Sequence, residues 1–215
     1  MVSAYLGILA GLLQALGYFL YVFMTLKREL KPNASTWFMF AYGMGLLTIL
    51  EWERDASLFL LIVPVVCSVL AIVVACICWK RGTLRWPDDK EDRFSFGADL
   101  MLTLCYVAAW LLYTQGMLTS AQVGYAILVF LIASNLTVFT SFTPLLREVQ
   151  TAPDHERFEP WLVWTFAYAV LGVATYLEEG FWTELMLYPL LNAPLHAAVA
   201  WLARPSRQKR LCLQA

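Results

Sequence analysis

Asn192 and His196 stand one helical turn apart in an otherwise apolar segment, so a helix there projects both from one face. A strongly polar or ionisable group in such surroundings is costly unless it meets a partner or lines a wet cavity. The pair is therefore the first candidate for substrate contact, with His196 also able to sense or handle protons. The plainer role is an interhelical hydrogen bond that holds helices together. Cys67, at the place in an earlier apolar segment that corresponds to Asn192, is followed by the polar Ser68. Gln14 and Asn135 are further polar groups in apolar sequence, for which packing is the simpler account. A second set is acidic. Glu51 and Glu53 flank Trp52, and Glu178 and Glu179 follow Tyr176-Leu177. Carboxylates at the rim of an apolar wall can exchange protons near neutral pH or draw a cation toward a mouth. They can equally be solvated loop charges. No metal or cofactor is expected, because the five cysteines form no C-x-x-C pair and have no histidine at ligand spacing.

These residues lie in or between seven apolar runs, roughly 3–25, 35–52, 57–79, 96–114, 121–144, 160–178 and 184–203. A bilayer core takes about 20 apolar residues per helix. Charged residues make up 14% of the chain, against about 25% in soluble domains, and the mean hydropathy is +0.64. Of the 15 Lys and Arg residues, all but Arg54 fall in alternate gaps: Lys27, Arg28 and Lys31; Lys80 to Arg93; Arg147 and Arg157; Arg204 to Arg210. Positive charge stays cytoplasmic, so the expectation is an integral protein of the plasma (inner) membrane with the N-terminus outside and the C-terminus inside. Residues 1–25 have no basic leader or small-residue cleavage site and read as a retained span. The expected partners are lipids and a small solute, with no nucleic acid. The alternating charges of Arg81 to Arg93 read as a solvated connector, and the tail as a lipid-facing cationic cluster. Cys212-Leu213-Gln214-Ala215 has the outline of a prenylation box, spoiled by Gln214.

The chain also repeats itself. Thr36-Trp37 and Phe40-Ala41-Tyr42 recur as Pro160-Trp161 and Phe166-Ala167-Tyr168; Glu53 matches Glu178, and Pro64 matches Pro189. Leu26-Lys27-Arg28-Glu29 matches Leu145-Leu146-Arg147-Glu148. The expected fold is all-α: two like-oriented three-helix repeats, 1–82 and 120–205, joined by a connector and linker helix at 83–119 and followed by a basic tail at 206–215. Trp37 and Trp161 are expected to anchor at the cytoplasmic interface, Ser35 or Thr36 to cap the second helix, and Asp99 to sit at the start of the fourth.

This pattern resembles the SWEET and PQ-loop transporter superfamily. The segment from Gly17-Tyr18-Phe19-Leu20-Tyr21 to Lys31-Pro32-Asn33-Ala34-Ser35-Thr36-Trp37 is similar to the first loop of a PQ-loop repeat, although the Pro-Gln dipeptide is absent. It also looks like an uncharacterised bacterial group with a Lys-Pro-Asn-x-x-x-Trp signature. The resemblance implies a secondary transporter or facilitator of a small polar solute, rocking one triplet against the other. Asn192 would then face Cys67 and Ser68 across a central cavity, and Trp52 and Tyr176 would close its outer side. Relatives with one repeat per chain dimerise, whereas fused repeats need not, so a homo-oligomer stays open. The alternative is a membrane-embedded enzyme of the terpenoid-cyclase type, in which Glu51, Glu53, Glu178 or Glu179 protonates an olefin. Acids pointing into a closed apolar cavity would favour the enzyme; acids at a mouth above a polar midplane would favour transport.

Overall fold

The computed structural model describes residues 1–81 and 90–205. The connector at 82–89 and the tail at 206–215, with Cys212, lie outside the described residues. Among those described there are helices and no strands: α1 (Val2–Leu26), α2 (Ala34–Glu53), α3 (Leu58–Lys80), α4 (Lys90–Thr114), α5 (Ser120–Thr151), α6 (Phe158–Glu179) and α7 (Leu187–Leu202). Short 3₁₀ turns at Pro153–His155 and Glu184–Met186 lead into α6 and α7. All but α2 are long and apolar enough to cross a membrane, α7 when taken with the 3₁₀ turn before it as Glu184–Leu202. Thr36, Trp37, Tyr42, two glycines and Thr48 dilute α2, and it ends in Glu51-Trp52-Glu53. An integral membrane protein follows from these helices.

Local chemistry sets the boundaries. Asn33 caps α2, its side chain accepting from the Thr36 N–H at 2.9 Å, so the cap falls before Ser35 and Thr36, where it was expected. Thr119 and Gln122 form a capping box at α5. α4 starts ahead of the apolar run it contains and α5 runs on past Pro144 to Thr151, because charged residues extend a helix beyond its apolar part at no cost to backbone pairing. That start leaves Asp99 well inside α4. It is buried and accepts from Thr137 Oγ1 of α5 at 2.6 Å, so it ties helices together and caps nothing.

The helices close a ring. α3 packs between α1 and α2, α7 packs between α5 and α6, and the α1–α6 and α2–α5 contacts join the two sets; α4 lies against α5 and α2. Small residues allow the closest approaches. A Cβ on Gly7 would fall 2.5 Å from the Phe59 carbonyl oxygen of α3, and one on Gly11 would strike Ile62. Gly17, on the other side of α1, gives its place to the Trp164 indole of α6. At the ends of α2 and α6, Asp55 (φ 57°) and Gly180 (φ 84°) turn the chain through the left-handed region. One end of the ring carries the α2–α3 and α6–α7 connections and is called the acidic end below. The opposite, basic end carries the α1–α2 and α5–α6 connections.

Candidate functional site

Aromatic side chains of four helices converge on the ring axis. Tyr18 (α1) meets Trp164 (α6) at 4.9 Å between centroids, and Trp164 meets Trp161 at 4.9 Å. Tyr21 packs on Trp37 of α2 at 4.7 Å, and Phe40 on Phe142 of α5 at 4.8 Å. They enclose a chamber of about 10 Å³, room for a single water. Its wall also includes Met44, Cys67, Tyr168, Asn192 and His196. His196 lies in the aromatic nest, with ring centroids 4.7 Å from Tyr168 and 5.0 Å from Phe142.

The hydrogen bonds fix which polar atoms are committed. His196 Nδ1 is 2.8 Å from the Asn192 carbonyl oxygen. A carbonyl only accepts, so Nδ1 carries the hydrogen and Nε2 of the neutral ring is the acceptor. Asn192 Nδ2 donates to the Tyr188 carbonyl at 2.9 Å, which turns Oδ1 the other way. Tyr18 Oη and Cys67 Sγ are 3.1 Å apart, Tyr168 Oη and Tyr188 Oη are 3.1 Å apart, and Tyr188 Oη donates to Met44 Sδ at 3.6 Å. Gln14 lies against Cys67 and Tyr168, and its Oε1 is buried with no partner among the described residues.

The two ends are shut by different chemistry. At the acidic end Arg54, after α2, forms a salt bridge to Glu184, before α7, with Nε donating to Oε1 at 2.6 Å. At the basic end Trp37 Nε1 donates to Tyr21 Oη at 2.9 Å, which donates to Glu156 Oε1 at 2.8 Å. Trp161 Nε1 donates to Glu156 Oε2 at 2.9 Å. Glu156 is 1% exposed. Burial pushes its carboxyl up to about 8 and the negative Glu148 adds to this; the two donated hydrogen bonds oppose the rise without cancelling it. Outside this plug, Asn33 Nδ2 donates to Glu148 Oε2 at 2.5 Å, His155 Nδ1 donates to Glu148 Oε1 at 2.7 Å, and the Lys31 N–H donates to the His155 carbonyl at 2.8 Å.

The structure brings Asn192, His196 and Cys67 together at the chamber. Ser68 is half-buried at the α2–α3 seam facing Gly45. Trp52 and Tyr176 stand apart from the chamber, 60% and 54% exposed. They line two lateral apolar grooves of about 400 and 370 Å³, one between α2 and α3, the other between α6 and α7. Glu51 is buried near Tyr188; Glu53 accepts from Tyr106 Oη at 3.0 Å; Glu178 and Glu179 are exposed. Asn135 bonds back to the Leu131 carbonyl at 3.0 Å. The expected interfacial anchoring of Trp37 and Trp161 is overturned: both are buried, because their indole N–H groups find the Tyr21–Glu156 pair inside. Tyr18, Tyr21, Trp164, Tyr168 and Glu156 were not singled out from the sequence. The signal for the tyrosines was Gly17-Tyr18 and Tyr21 recurring on one face of α1; Glu156 carries none, since it reads as one more loop acid. Compared with family models, with curated proteins and with solved structures, the chain matches none.

Proposed function

We propose that the chain is a secondary transporter or facilitator of a small polar solute, built as two like-oriented helix triplets, α1–α3 and α5–α7, with α4 as linker. The observation that carries this reading is an aromatic chamber on the axis that holds Asn192 and His196, shut at both ends by contacts that run between the triplets. Arg54 to Glu184 joins them at the acidic end, and Tyr21 to Glu156 with Asn33 to Glu148 joins them at the basic end. Rocking that breaks one set while keeping the other exposes the chamber to one side at a time. The α3-in-the-middle and α7-in-the-middle packing supports the duplication, as do the left-handed turns at Asp55 and Gly180, which stand in matching places. With basic residues on the cytoplasmic side, the acidic end faces outward and the N-terminus is outside. The resemblance to SWEET and PQ-loop proteins agrees with this arrangement.

The enzyme alternative needs a carboxyl in the cavity wall. The chamber wall contains none among the described residues; Glu51 and Glu156 lie beyond its two ends. That favours transport. The test is reconstitution into proteoliposomes and uptake of labelled small solutes, with and without a proton gradient. Asn192→Ala is expected to abolish uptake of whichever solute is carried; uptake that survives it removes the chamber from the pathway.

A further inference from the structure

We propose that the chamber selects a small organic monocation with N–H donors, an alkylammonium, over a neutral polyol. The inference deepens the transporter reading and rests on it for the route by which the ligand enters.

The rings of Trp37, Trp164, Tyr18, Tyr168, Phe40 and Phe142 line one small space. Aromatic rings attract a cation over their faces, most strongly when it is desolvated, and Trp does so best. Among the described residues no Lys or Arg contributes to the wall to repel it. Two wall atoms are uncommitted acceptors, and the donors left over are the second N–H of Asn192 Nδ2 and the hydrogen that the Tyr18–Cys67 contact does not use. His196 Nε2 faces away from the bond that Nδ1 makes, and Asn192 Oδ1 away from the bond that Nδ2 makes. Gln14 Oε1, behind the wall beside Cys67 and Tyr168, is buried with no partner among the described residues. The hydroxyl of Tyr18 is engaged with Cys67, and those of Tyr168 and Tyr188 with each other and with Met44.

A polyol offers donors and acceptors in equal measure, and its acceptors would find few donors here. An ammonium offers donors alone, and every free acceptor suits it. Its head matches the water-sized space, while its alkyl chain needs the triplets to part. The flanks add acceptors: Glu51 (4% exposed) lies beyond one end of the chamber and Glu156 beyond the other, each a buried carboxyl whose oxygens can accept from an ammonium. Neither pairs with a cationic side chain among the described residues. A cation crossing the chamber would thus pass from one buried carboxyl to the other.

Purified protein in nanodiscs is titrated with butylammonium, with butanol and with glucose, following tryptophan fluorescence and the unfolding temperature. Butylammonium is expected to perturb the fluorescence and raise the unfolding temperature where butanol and glucose do neither. Trp164→Phe, which keeps a ring and weakens the π face, is expected to loosen butylammonium by roughly threefold or more. An equal response to butanol, a response only to glucose, no response to butylammonium, or unchanged affinity in Trp164→Phe each overturns the inference. Uptake separates the two readings. Carriage of a neutral solute without ammonium binding keeps the transporter and removes the cation, whereas ammonium binding without any uptake keeps the cation and removes the transporter.

Discussion

The two ends of the chamber close by opposite means. At the acidic end a guanidinium meets a carboxylate with both partly in solvent, Arg54 at 31% and Glu184 at 22% exposure. At the basic end a carboxyl is buried among two tryptophans and a tyrosine and, among the described residues, pairs with no cationic side chain. An exposed ion pair contributes about 0–1 kcal/mol and weakens with salt. A dry hydrogen-bonded carboxyl stabilises through its partners, and removing it strands donors that water cannot reach. The basic end is therefore the stiffer closure and the acidic end the softer one. In a transporter that rocks, the softer end opens first.

The sharpest way to break this contrast is Glu156→Ala. It leaves the Trp161 N–H and the Tyr21 hydroxyl without their acceptor and opens a gap between α1 and α6. At about 1–3 kcal/mol for each of the two stranded groups, the expected loss is about 2–6 kcal/mol, read as a large drop in unfolding temperature in nanodiscs. A loss below that of Arg54→Gln would invert the ranking of the two ends.

Next comes pH. The Glu156 carboxyl is raised from an ordinary value of 4.5 to about 8, so the folded protein holds a proton that the unfolded chain releases. The contribution is fully present below pH 4.5, declines between pH 4.5 and about 8, and is gone above that. The slope is on the order of 1 kcal/mol per pH unit across the window. Glu156→Gln cannot titrate, so the part of the stability–pH profile due to this site should be flat in the variant. A wild-type profile unchanged by Glu156→Gln would mean that the carboxyl is ionised inside.

Gly17→Ala tests the wall between the ends. Its Cβ would collide with Trp164 Nε1 and lie 2.6 Å from Cδ1, displacing the indole and its 3.1 Å bond to the Gln14 carbonyl. Overpacking of this kind costs about 1–3 kcal/mol. Trp164 touches both Trp161 (4.9 Å) and Tyr21 (5.6 Å), so the pH profile of the dry end should shift with it while salt dependence stays as it was. Partial rescue by Trp164→Phe in the same chain would identify the indole as the part that moved.

How much of this the sequence discloses follows from what each feature depends on. Helices and their number rest on runs of apolar residues, which are local, and α2 shows the limit: Trp37 and Tyr42 dilute its hydropathy because it faces the core of the ring. Asn192 and His196 are conspicuous because polar atoms in apolar sequence are rare. Glu156 is not, since its burial comes from Trp37 and Tyr21 in one part of the chain and Trp161 in another, brought together only when α1 meets α6. Trp52 and Tyr176 show the converse. As aromatics beside the acids that end α2 and α6 they stand out in the sequence, but which way such a residue faces depends on helix rotation, and both turn to the lateral grooves.

The smallest effect is expected at the acidic end. Arg54→Gln removes the guanidinium and leaves Glu184 able to be hydrated, because that carboxylate is already 22% exposed. At 0–1 kcal/mol for a pair so placed, the unfolding temperature should fall by about 1–3 °C at low salt. At high salt, where the wild-type pair is screened, the difference should vanish. The same substitution frees the α2–α3 and α6–α7 connections from each other, so access of a membrane-impermeant thiol reagent to Cys67 from the acidic end should rise while stability hardly changes. Unchanged Cys67 labelling would mean that the ion pair decorates the acidic end without closing it, and the seal there would fall to the buried Glu51 and Tyr188 instead.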